Sequence, residues 1–342
     1  MLHGHGDDIY RYGRKIEYNF SSNVYPAADV SELLRYLSEC RDALVSYPDP
    51  AAENLSEKIA GINGISSSSV CVTNGATEAI YLIASAWRGD RSAVIVPTFT
   101  EYADSCRMHA HRVTEYSAED FAENRLAADE DIVWLCNPNN PDGRVWEKET
   151  LKSMICERPE RLFVIDQSYE DFTDRLLFNA EETVSFPNLI TLHSMTKKYR
   201  IAGLRLGCAI ASPSLIDRIS SMRMPWSVNG MAIAAGEYLV NRADKSFNIN
   251  AYLQDAERLR RLLNEIEGIT VIPSHTHFFL VRLERGTSSE RKTFLAENFG
   301  LLIRDASNFS GLDDRYVRIS AQQPAANDLL VNSVRQWMEY IM

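Results

Sequence analysis

The sequence predicts an α/β protein with a mostly parallel sheet, helices on both of its faces, and a second, smaller α+β domain. Between about residues 70 and 210, short apolar runs such as SAVIVP, DIVWLCNP and RLFVIDQS alternate with amphipathic, helix-like segments. Most polar signals follow these runs, at the sheet edge where ligands bind in open α/β folds. The chain has 342 residues and is 45% hydrophobic, enough for a large domain and a smaller companion.

We divide the chain into three parts. Residues 1–25 form an N-terminal arm, residues 26–235 the large domain, and residues 236–342 the small C-terminal domain. The segment from Ile216 to about Leu263 has the periodicity of a long amphipathic helix, and the boundary is expected within or beside it. After it, apolar runs such as LLIRD and RYVRIS, a helix near ERKTFLAENFG and a final helix from Asn327 indicate an α+β unit.

Composition narrows the possible functions. The formal net charge is -11 with no block of Lys or Arg, so we expect no nucleic-acid partner. No apolar stretch is long enough to span a membrane, and the first residues lack a signal-peptide core, so a cytoplasmic location is expected. The six cysteines are scattered, which favours buried reduced thiols. No metal site is expected, although His275 and His277 would share one face of a strand.

Two segments carry ionisable side chains suited to catalysis. In SMTKKYRIAGLRLG, hydroxyl side chains precede Lys197, and Arg205 follows after a glycine. Taken alone, this segment would be interpreted as a basic patch on a surface loop. In VIDQSYEDF, Asp166 ends a buried strand, where an unpaired charge is costly. A protonated pyridine nitrogen would be a suitable partner for Asp166. The Tyr169 side chain could then reach a phenolic oxygen on the same pyridine ring. A helix N-cap is the structural alternative for Asp166.

Two further segments predict a turn and an anion site. WLCNPNNPDG requires a rigid turn after a strand, which explains its prolines but not Asn140. VTNGATEAI passes from a strand into a helix, and the free N–H groups of a helix N-terminus bind anions. It lacks the Gly-Lys-Ser/Thr of a P-loop.

These four segments, in this order and spacing, resemble the fold-type-I pyridoxal-phosphate (PLP) transferases, the class I/II aminotransferases of the aspartate-aminotransferase fold. The branches most similar to the chain are histidinol-phosphate aminotransferase and threonine-phosphate decarboxylase, over nearly its whole length. The resemblance implies a homodimer that uses PLP. It implies catalytic roles for Lys197, which bonds to the cofactor and moves the substrate proton, for Asp166, which keeps the pyridine nitrogen protonated, and for Tyr169.

The resemblance also implies the cofactor contacts. Asn140 and Tyr169 would bind the ring oxygen, Phe99 would stack on the ring, and Tyr47 would reach the phosphate of the neighbouring subunit. The phosphate of the same subunit would be held by Gly75, Ala76, Thr77, Ser194, Thr196 and Arg205. Arg205 and the cationic cofactor nitrogen would lower the pKa of Lys197. Register with the AGLR motif selects Lys197 rather than Lys198.

Three positions depart from the family pattern. Asp142 stands where Thr is usual, Gln167 where Glu is usual, and His277 where an Asn usually begins a strand facing the site. None is expected to affect the core cofactor chemistry, whereas His277 bears on the substrate contacts.

Substrate binding is implied for four residues. Arg304 and Arg318 match arginines that grip an anionic group, although an arbitrary strand arginine would be expected to be exposed. His5 and Asn23 match the N-terminal segment of the decarboxylase branch. Asp8 replaces an Asn of that branch, and its carboxylate beside a substrate phosphate would weaken this assignment.

The leading prediction is an aminotransferase for a small phosphorylated amine or amino acid, with histidinol phosphate as the default. It would need a keto-acid acceptor such as 2-oxoglutarate. One alternative is a PLP-dependent decarboxylase of threonine phosphate. The other is a non-catalytic PLP-fold binding module, against which the presence of Lys197 argues.

Overall fold

The computed structural model of the protein describes residues 6–12, 16–240, 242 and 247–340. In chain order, its strands are β1 (Tyr18–Asn19), β2 (Val70–Thr73), β3 (Arg91–Val96), β4 (Arg112–Ser117), β5 (Ile132–Cys136), β6 (Leu162–Asp166), β7 (Leu189–Ser194), β8 (Gly207–Ala211), β9 (Ile269–Val271), β10 (Phe278–Leu283), β11 (Leu301–Leu302), β12 (Arg304–Asp305) and β13 (Tyr316–Ser320). Its α-helices are α1 (Ser31–Glu39), α2 (Asp42–Val45), α3 (Glu53–Ile62), α4 (Gly75–Ala86), α5 (Glu101–Met108), α6 (Ala118–Ala122), α7 (Lys148–Glu157), α8 (Ala180–Ser185), α9 (Pro213–Ser220), α10 (Gly230–Val240), α11 (Ile249–Asn264), α12 (Ser288–Phe299) and α13 (Pro324–Tyr340).

The larger sheet has seven strands in the order β2-β8-β7-β6-β5-β3-β4. All neighbours run parallel except β8, which is antiparallel to β2 and β7. This mostly parallel sheet confirms the predicted α/β class. Its apolar runs are buried on both faces: in β5, Trp134 packs in one core with residues of α4 and α5, whereas Val133 packs in another with residues of α7.

A smaller antiparallel sheet follows in the chain, with the order β12-β13-β10-β9. Residues of α11 and α13 share its core, including Leu259 and Leu330. Helix α12 ends at Gly300, whose φ of 68° is the left-handed conformation that glycine adopts easily. The chain then enters β11, which pairs in parallel with β1, so that residues 18–19 of the predicted arm lie beside the C-terminal part of the chain.

The segment between Ile216 and Leu263 is not one long helix, contrary to the prediction. It contains α9, α10 and α11, and the first two are separated by a stretch that includes Pro225. A Cβ on Gly230, the first residue of α10, would lie 2.2 Å from the Ala43 carbonyl oxygen, so α10 begins at a close approach to the preceding part of the chain.

The packing partner of the chain changes between α10 and α11. Helix α10 packs on α1 through residues that include Ala235, whereas α11 packs on β9 and α13. The predicted boundary at residue 235 therefore falls within a helix that packs with the large sheet, and the three-part division stays a prediction. The final helix begins at Pro324 rather than Asn327. Among the described residues, no helix is long and apolar enough to cross a membrane, and Cys156 is exposed, contrary to the expectation of buried thiols.

Candidate active site

A cavity lies at the carboxyl ends of β5, β6 and β7, beside the N-terminus of α4. It brings together the predicted residues Ala76, Thr77, Phe99, Asn140, Asp166, Tyr169, Ser194, Thr196, Lys197 and Arg205. Residues without a predicted role also line it: Ile80, Tyr102, Cys136 and Ser168. The carboxyl ends of parallel strands meet at one sheet edge, and this is why motifs far apart in the chain converge here.

The two adjacent lysines have different surroundings. Lys197 lines the cavity, and its pKa is lowered to about 8, first by burial and then by the nearby Arg205 charge, with Asp166 acting in the opposite direction. Lys198 points elsewhere, since its Nζ lies 2.6 Å from a carboxylate oxygen of Asp171. A lysine whose pKa is close to neutral pH can act as a nucleophile or base. The surroundings therefore favour Lys197 over Lys198 as the reactive lysine.

Asp166 is held as a hydrogen-bond acceptor through both carboxylate oxygens. The Ser168 backbone N–H donates to Oδ1 at 2.8 Å, and the Tyr102 hydroxyl donates to Oδ2 at 2.7 Å. These two contacts fix the orientation of the carboxylate at the cavity, where the nitrogen of a pyridine ring could be a further partner. Asp166 is also not the N-cap of a helix, because the helical turn that follows begins only at Glu170.

Tyr102 is the residue that the sequence interpretation missed. It is fully buried on α5, its ring stacks against Trp134 at 5.9 Å, and burial raises its pKa well above the ordinary value. It therefore remains a protonated donor to Asp166. The available signal was its place three residues after Phe99, one helical turn along the TFTEY segment.

The opposite end of the cavity suits a phosphate. Arg205 supplies a positive charge, and the Ser194 and Thr196 hydroxyl oxygens lie 2.7 Å apart beside the N-terminus of α4. A Cβ on Gly75 would lie 2.8 Å from an Arg205 nitrogen, and a Cβ on Gly207 would lie 2.6 Å from the Ala76 amide nitrogen. Gly75 thus does not line the cavity but lets Arg205 and the helix N-terminus come together.

The arrangement fits PLP from one end to the other. An anion-binding end, an aromatic side wall from Phe99, a lysine of lowered pKa and a hydrogen-bonded carboxylate share one cavity. Arg205 with the hydroxyls would hold the phosphate, and Asp166 would hold the pyridine nitrogen. When bound, PLP supplies an electron sink for the pair of electrons left at the substrate Cα.

Arg304 and Arg318 are buried rather than exposed, unlike most strand arginines. They are directly opposed partners on β12 and β13, at 7% and 6% exposure. Arg318 donates to the Asn140 side-chain oxygen and to the Ser21 carbonyl, whereas Arg304 donates to Asn308 at 2.7 Å. The pKa of Arg318 is lowered to about 10, mainly by burial and to a smaller extent by the nearby charge of Arg304, whereas Tyr169 acts in the opposite direction. Each guanidinium is thus held near a like charge.

The N-terminal residues lie against this arginine pair. A Cβ on Gly6 would come within 3.1 Å of the Arg304 side chain. The Asp8 carboxylate is buried, and the Lys292 ammonium lies 2.7 Å from both of its oxygens. Asn23 donates through its side-chain amide to the Tyr169 hydroxyl at 3.2 Å. The other predicted N-terminal contact, His5, lies outside the described residues.

Tyr47 and the departures from the family pattern lie away from the cavity. Tyr47 is 85% exposed and does not line the cavity, and its contact with a neighbouring subunit stays a prediction. Asp142 closes its turn by accepting from Asn139 at 2.7 Å, and Gln167 donates to the Phe178 carbonyl at 3.0 Å. His277 precedes β10 rather than lying in a strand.

Comparisons with known proteins agree on the family. Residues 15–334 match the model for aminotransferase class I and II. The chain is 29% identical to the histidinol-phosphate aminotransferase of Caldanaerobacter subterraneus subsp. tengcongensis, over 94% of this chain and 93% of the relative. It is 28% identical to the threonine-phosphate decarboxylase of Salmonella typhimurium, over 93% and 90%.

Solved structures point the same way. The crystal structure of L-threonine-O-3-phosphate decarboxylase from Porphyromonas gingivalis superposes with a TM-score of 0.92 and 37% identity, covering 94% of this chain and 99% of that one. The histidinol-phosphate aminotransferase from Sinorhizobium meliloti, solved with pyridoxal-5'-phosphate, shares the fold at 21% identity with a TM-score of 0.86, covering 100% and 96%. The chain therefore belongs to the class I and II aminotransferase family of PLP-dependent enzymes, and its cofactor is pyridoxal 5'-phosphate.

Proposed function

We propose that the chain is a PLP-dependent decarboxylase of a phosphorylated amino acid, with threonine phosphate as the substrate. The observation that carries this proposal is the buried, directly opposed pair of Arg304 and Arg318. Like charges facing each other on adjacent strands are unfavourable unless an anion lies between or beside them. Threonine phosphate offers both a carboxylate and a phosphate, whereas histidinol phosphate offers only the phosphate.

The inner arginine suits the carboxylate. Arg318 donates to Asn140, a cavity residue, while its Nε is buried without a partner in the part of the chain that the structure describes. Such a nitrogen is a ready donor to a substrate oxygen. Arg304, which lies beside Gly6 and donates to Asn308, would contact the phosphate from the neighbouring strand.

Asp8 does not oppose this assignment. The sequence raised the objection that its carboxylate would repel a substrate phosphate, but Lys292 contacts both of its oxygens and balances the charge. The 37% identity to the Porphyromonas gingivalis decarboxylase structure further supports the proposal.

The protein side of the reaction then falls to a few residues. Arg318 orients the carboxylate, whose carbon leaves as CO₂ while the bonding electron pair stays at Cα. Lys197, with a pKa of about 8, can then deliver a proton to Cα near neutral pH. The product is the corresponding phosphorylated amino alcohol.

The second candidate is the leading sequence-based prediction, an aminotransferase for histidinol phosphate with a keto-acid acceptor such as 2-oxoglutarate. The 29% identity to the Caldanaerobacter enzyme over nearly the whole chain favours it. It would use the same cavity, with Lys197 moving a proton from Cα instead of replacing a carboxylate.

A single-turnover experiment without any keto acid separates the two. The PLP-loaded enzyme is mixed with threonine phosphate or with histidinol phosphate, and both CO₂ and the cofactor spectrum are followed, with Lys197→Ala as the inactive control. Release of CO₂ from threonine phosphate, with the cofactor left in its aldehyde oxidation state, is expected. Conversion to the pyridoxamine form by histidinol phosphate, without CO₂ from threonine phosphate, would establish the aminotransferase instead.

We also propose a homodimer. An exposed apolar patch contains Leu44, Val45, Tyr47 and Met224, between 73% and 85% exposed, with Trp226 beside Tyr47 at 5.2 Å between ring centroids. Patches of this kind mark protein interfaces. Sedimentation should give about twice the chain mass of 38.7 kDa; a monomer at micromolar concentration would contradict the proposal.

A further inference from the structure

Residues 19–25, here called the strap, join the small sheet to the cavity. The Ser320 backbone N–H donates to the Phe20 carbonyl, and the Tyr25 N–H donates to the Lys197 carbonyl, both at 2.9 Å. The Ser21 carbonyl accepts from Arg318. The strap thus contacts the lysine-bearing loop and a buried arginine, and its conformation bears on both.

His277 is a fixed donor to the strap. It is fully buried, its ring stacks on Tyr252 at 5.1 Å, and its centroid lies 4.2 Å from that of Phe172. Burial lowers its pKa to about 3, so the ring is neutral and carries a single N–H. Its Nε2 lies 3.2 Å from the Asn23 carbonyl oxygen, an acceptor, and the hydrogen therefore sits on Nε2.

The strap continues this contact to Tyr169. The Asn23 side-chain amide donates to the Tyr169 hydroxyl oxygen at 3.2 Å. Because the phenol accepts this bond, its own hydrogen stays available for another acceptor. Tyr169 lines the cavity next to Asp166, and an acceptor at that place would be the ring oxygen of the cofactor.

We propose that His277 is a positioning residue for Tyr169: by donating to the Asn23 carbonyl, it keeps the Asn23 amide on the Tyr169 hydroxyl, so that the phenol donates into the cofactor cavity. This role goes beyond the proposed function, because it concerns the cofactor and does not depend on which substrate is used. The ring fills the aromatic surroundings and still reaches the strap carbonyl.

The alternative is that His277 only fills space between Tyr252 and Phe172. Packing alone would not require the Nε2–H to meet a carbonyl, and a phenylalanine would serve it equally well. The comparison of His277→Phe with His277→Gln separates the two roles, since Phe keeps the ring and Gln keeps an amide donor near the Nε2 position.

The test uses the PLP-loaded enzyme and the pH midpoint of its visible cofactor band. A donor to the ionised ring oxygen stabilises that form and lowers the midpoint, so its loss should raise it. We expect His277→Phe to raise the midpoint by about 0.5–1 pH unit, a fraction of the shift a lost hydrogen bond to a charged group can cause. His277→Gln should recover most of it. The charged and titratable groups facing Tyr169 and His277 are Asp166, Arg318, Cys136 and Tyr252.

A double-mutant cycle shows whether the effect passes through Tyr169. In the Tyr169→Phe background, His277→Phe should shift the midpoint no further. An equal shift in both backgrounds, or an unchanged midpoint in His277→Phe, would overturn the proposal. His275→Gln is the matched control, since His275 is exposed two residues away, and should leave the midpoint unchanged.

Asn23→Ala covers the case in which His277→Phe does not fold. It removes the amide donor directly and leaves the aromatic surroundings of His277 intact. It should raise the midpoint at least as much as the loss of the histidine donor would. No shift in a folded, PLP-loaded Asn23→Ala would contradict the relay.

Discussion

The two ends of the site are built differently. At the cofactor end, Asp166 and Ser194 are the last residues of β6 and β7, and Asn140 follows the neighbouring β5, so the parallel sheet itself brings them together. At the end that we propose for the substrate, Arg318 lies on the antiparallel sheet and donates to the Ser21 carbonyl, which is 297 residues away in the chain. Short motifs therefore determine the cofactor end, whereas the substrate end depends on contacts between distant parts of the chain.

Because the two ends are built differently, substitutions at each end should change different measured quantities. Changes at the cofactor end should alter PLP binding and the reactivity of the lysine. Changes at the substrate end should alter KM while PLP binding stays intact. Substitutions at each end should therefore separate substrate affinity from PLP affinity.

The largest effect is expected at Lys197. Lys197→Ala should abolish the covalent attachment of PLP, because it removes the amine, and activity should fall by several orders of magnitude. Lys198→Ala is the matched control, since Lys198 pairs with Asp171, and it should keep the visible cofactor band. Absorbance spectra of the purified variants decide; a normal band in Lys197→Ala would remove that residue from the site.

Arg318→Gln should affect the other end. Loss of a buried charged donor to a substrate anion is expected to raise KM roughly 100-fold, about 3 kcal/mol. The PLP dissociation constant should stay within about twofold, because Arg318 does not line the cofactor cavity. Arg315→Gln, on a half-exposed arginine paired with Asp313, is the control. If PLP affinity fell as much as substrate affinity, the two ends would not be separable.

The pH dependence of cofactor loading tests the lysine environment. Burial and Arg205 lower the pKa of Lys197 to about 8, so the amine is neutral above that pH and protonated below it. The rate at which apoenzyme takes up PLP covalently should fall about tenfold per pH unit below pH 8 and level off above it. Arg205→Gln should move the midpoint upward. Stopped-flow absorbance measures the rate, and a midpoint near the ordinary lysine value of 10.5 would contradict the assignment.

Tyr102→Phe should have the smallest of these effects. It removes one of the two donors to Asp166 and should weaken PLP binding about tenfold, roughly 1.4 kcal/mol. Tyr81→Phe is a matched control, because Tyr81 donates to the Glu101 carboxylate at 2.7 Å in the same way but does not line the cavity. Equal PLP affinities for the two variants would argue against a role for Tyr102 at the cofactor end.

Much of the cofactor end could be predicted because its signals are local. The strand that ends at Asp166 and the register of Lys197 with the AGLR motif are visible in short segments, and they converge in the fold. The role of Tyr102 was not predicted because the residue lies on a helix, where an aromatic residue at a buried position usually indicates core packing. Its hydroxyl reaches Asp166 only because the ring stacks on Trp134 of β5 in the folded chain.

The substrate end resisted prediction for a different physical reason. The burial of Arg304 and Arg318, and the neutralisation of Asp8 by Lys292, depend on contacts across almost the full length of the chain. Local hydropathy predicts strand arginines to be exposed. It also contains no information on which distant cation, here Lys292, forms an ion pair with the Asp8 carboxylate. The break between α9 and α10 was missed because apolar residues recur on both sides of it, although Pro225 within it was a local signal.

The pairing of β1 with β11 has a consequence for biosynthesis. Residues 18–19 leave the ribosome long before residues 301–302, their partners, have been made. Strand β1 therefore has no partner strand while the seven-stranded sheet is synthesised. It can pair with β11 only after nearly the whole polypeptide has emerged. A growing chain can thus form the strands that line the PLP cavity before it can form the proposed substrate-binding surface.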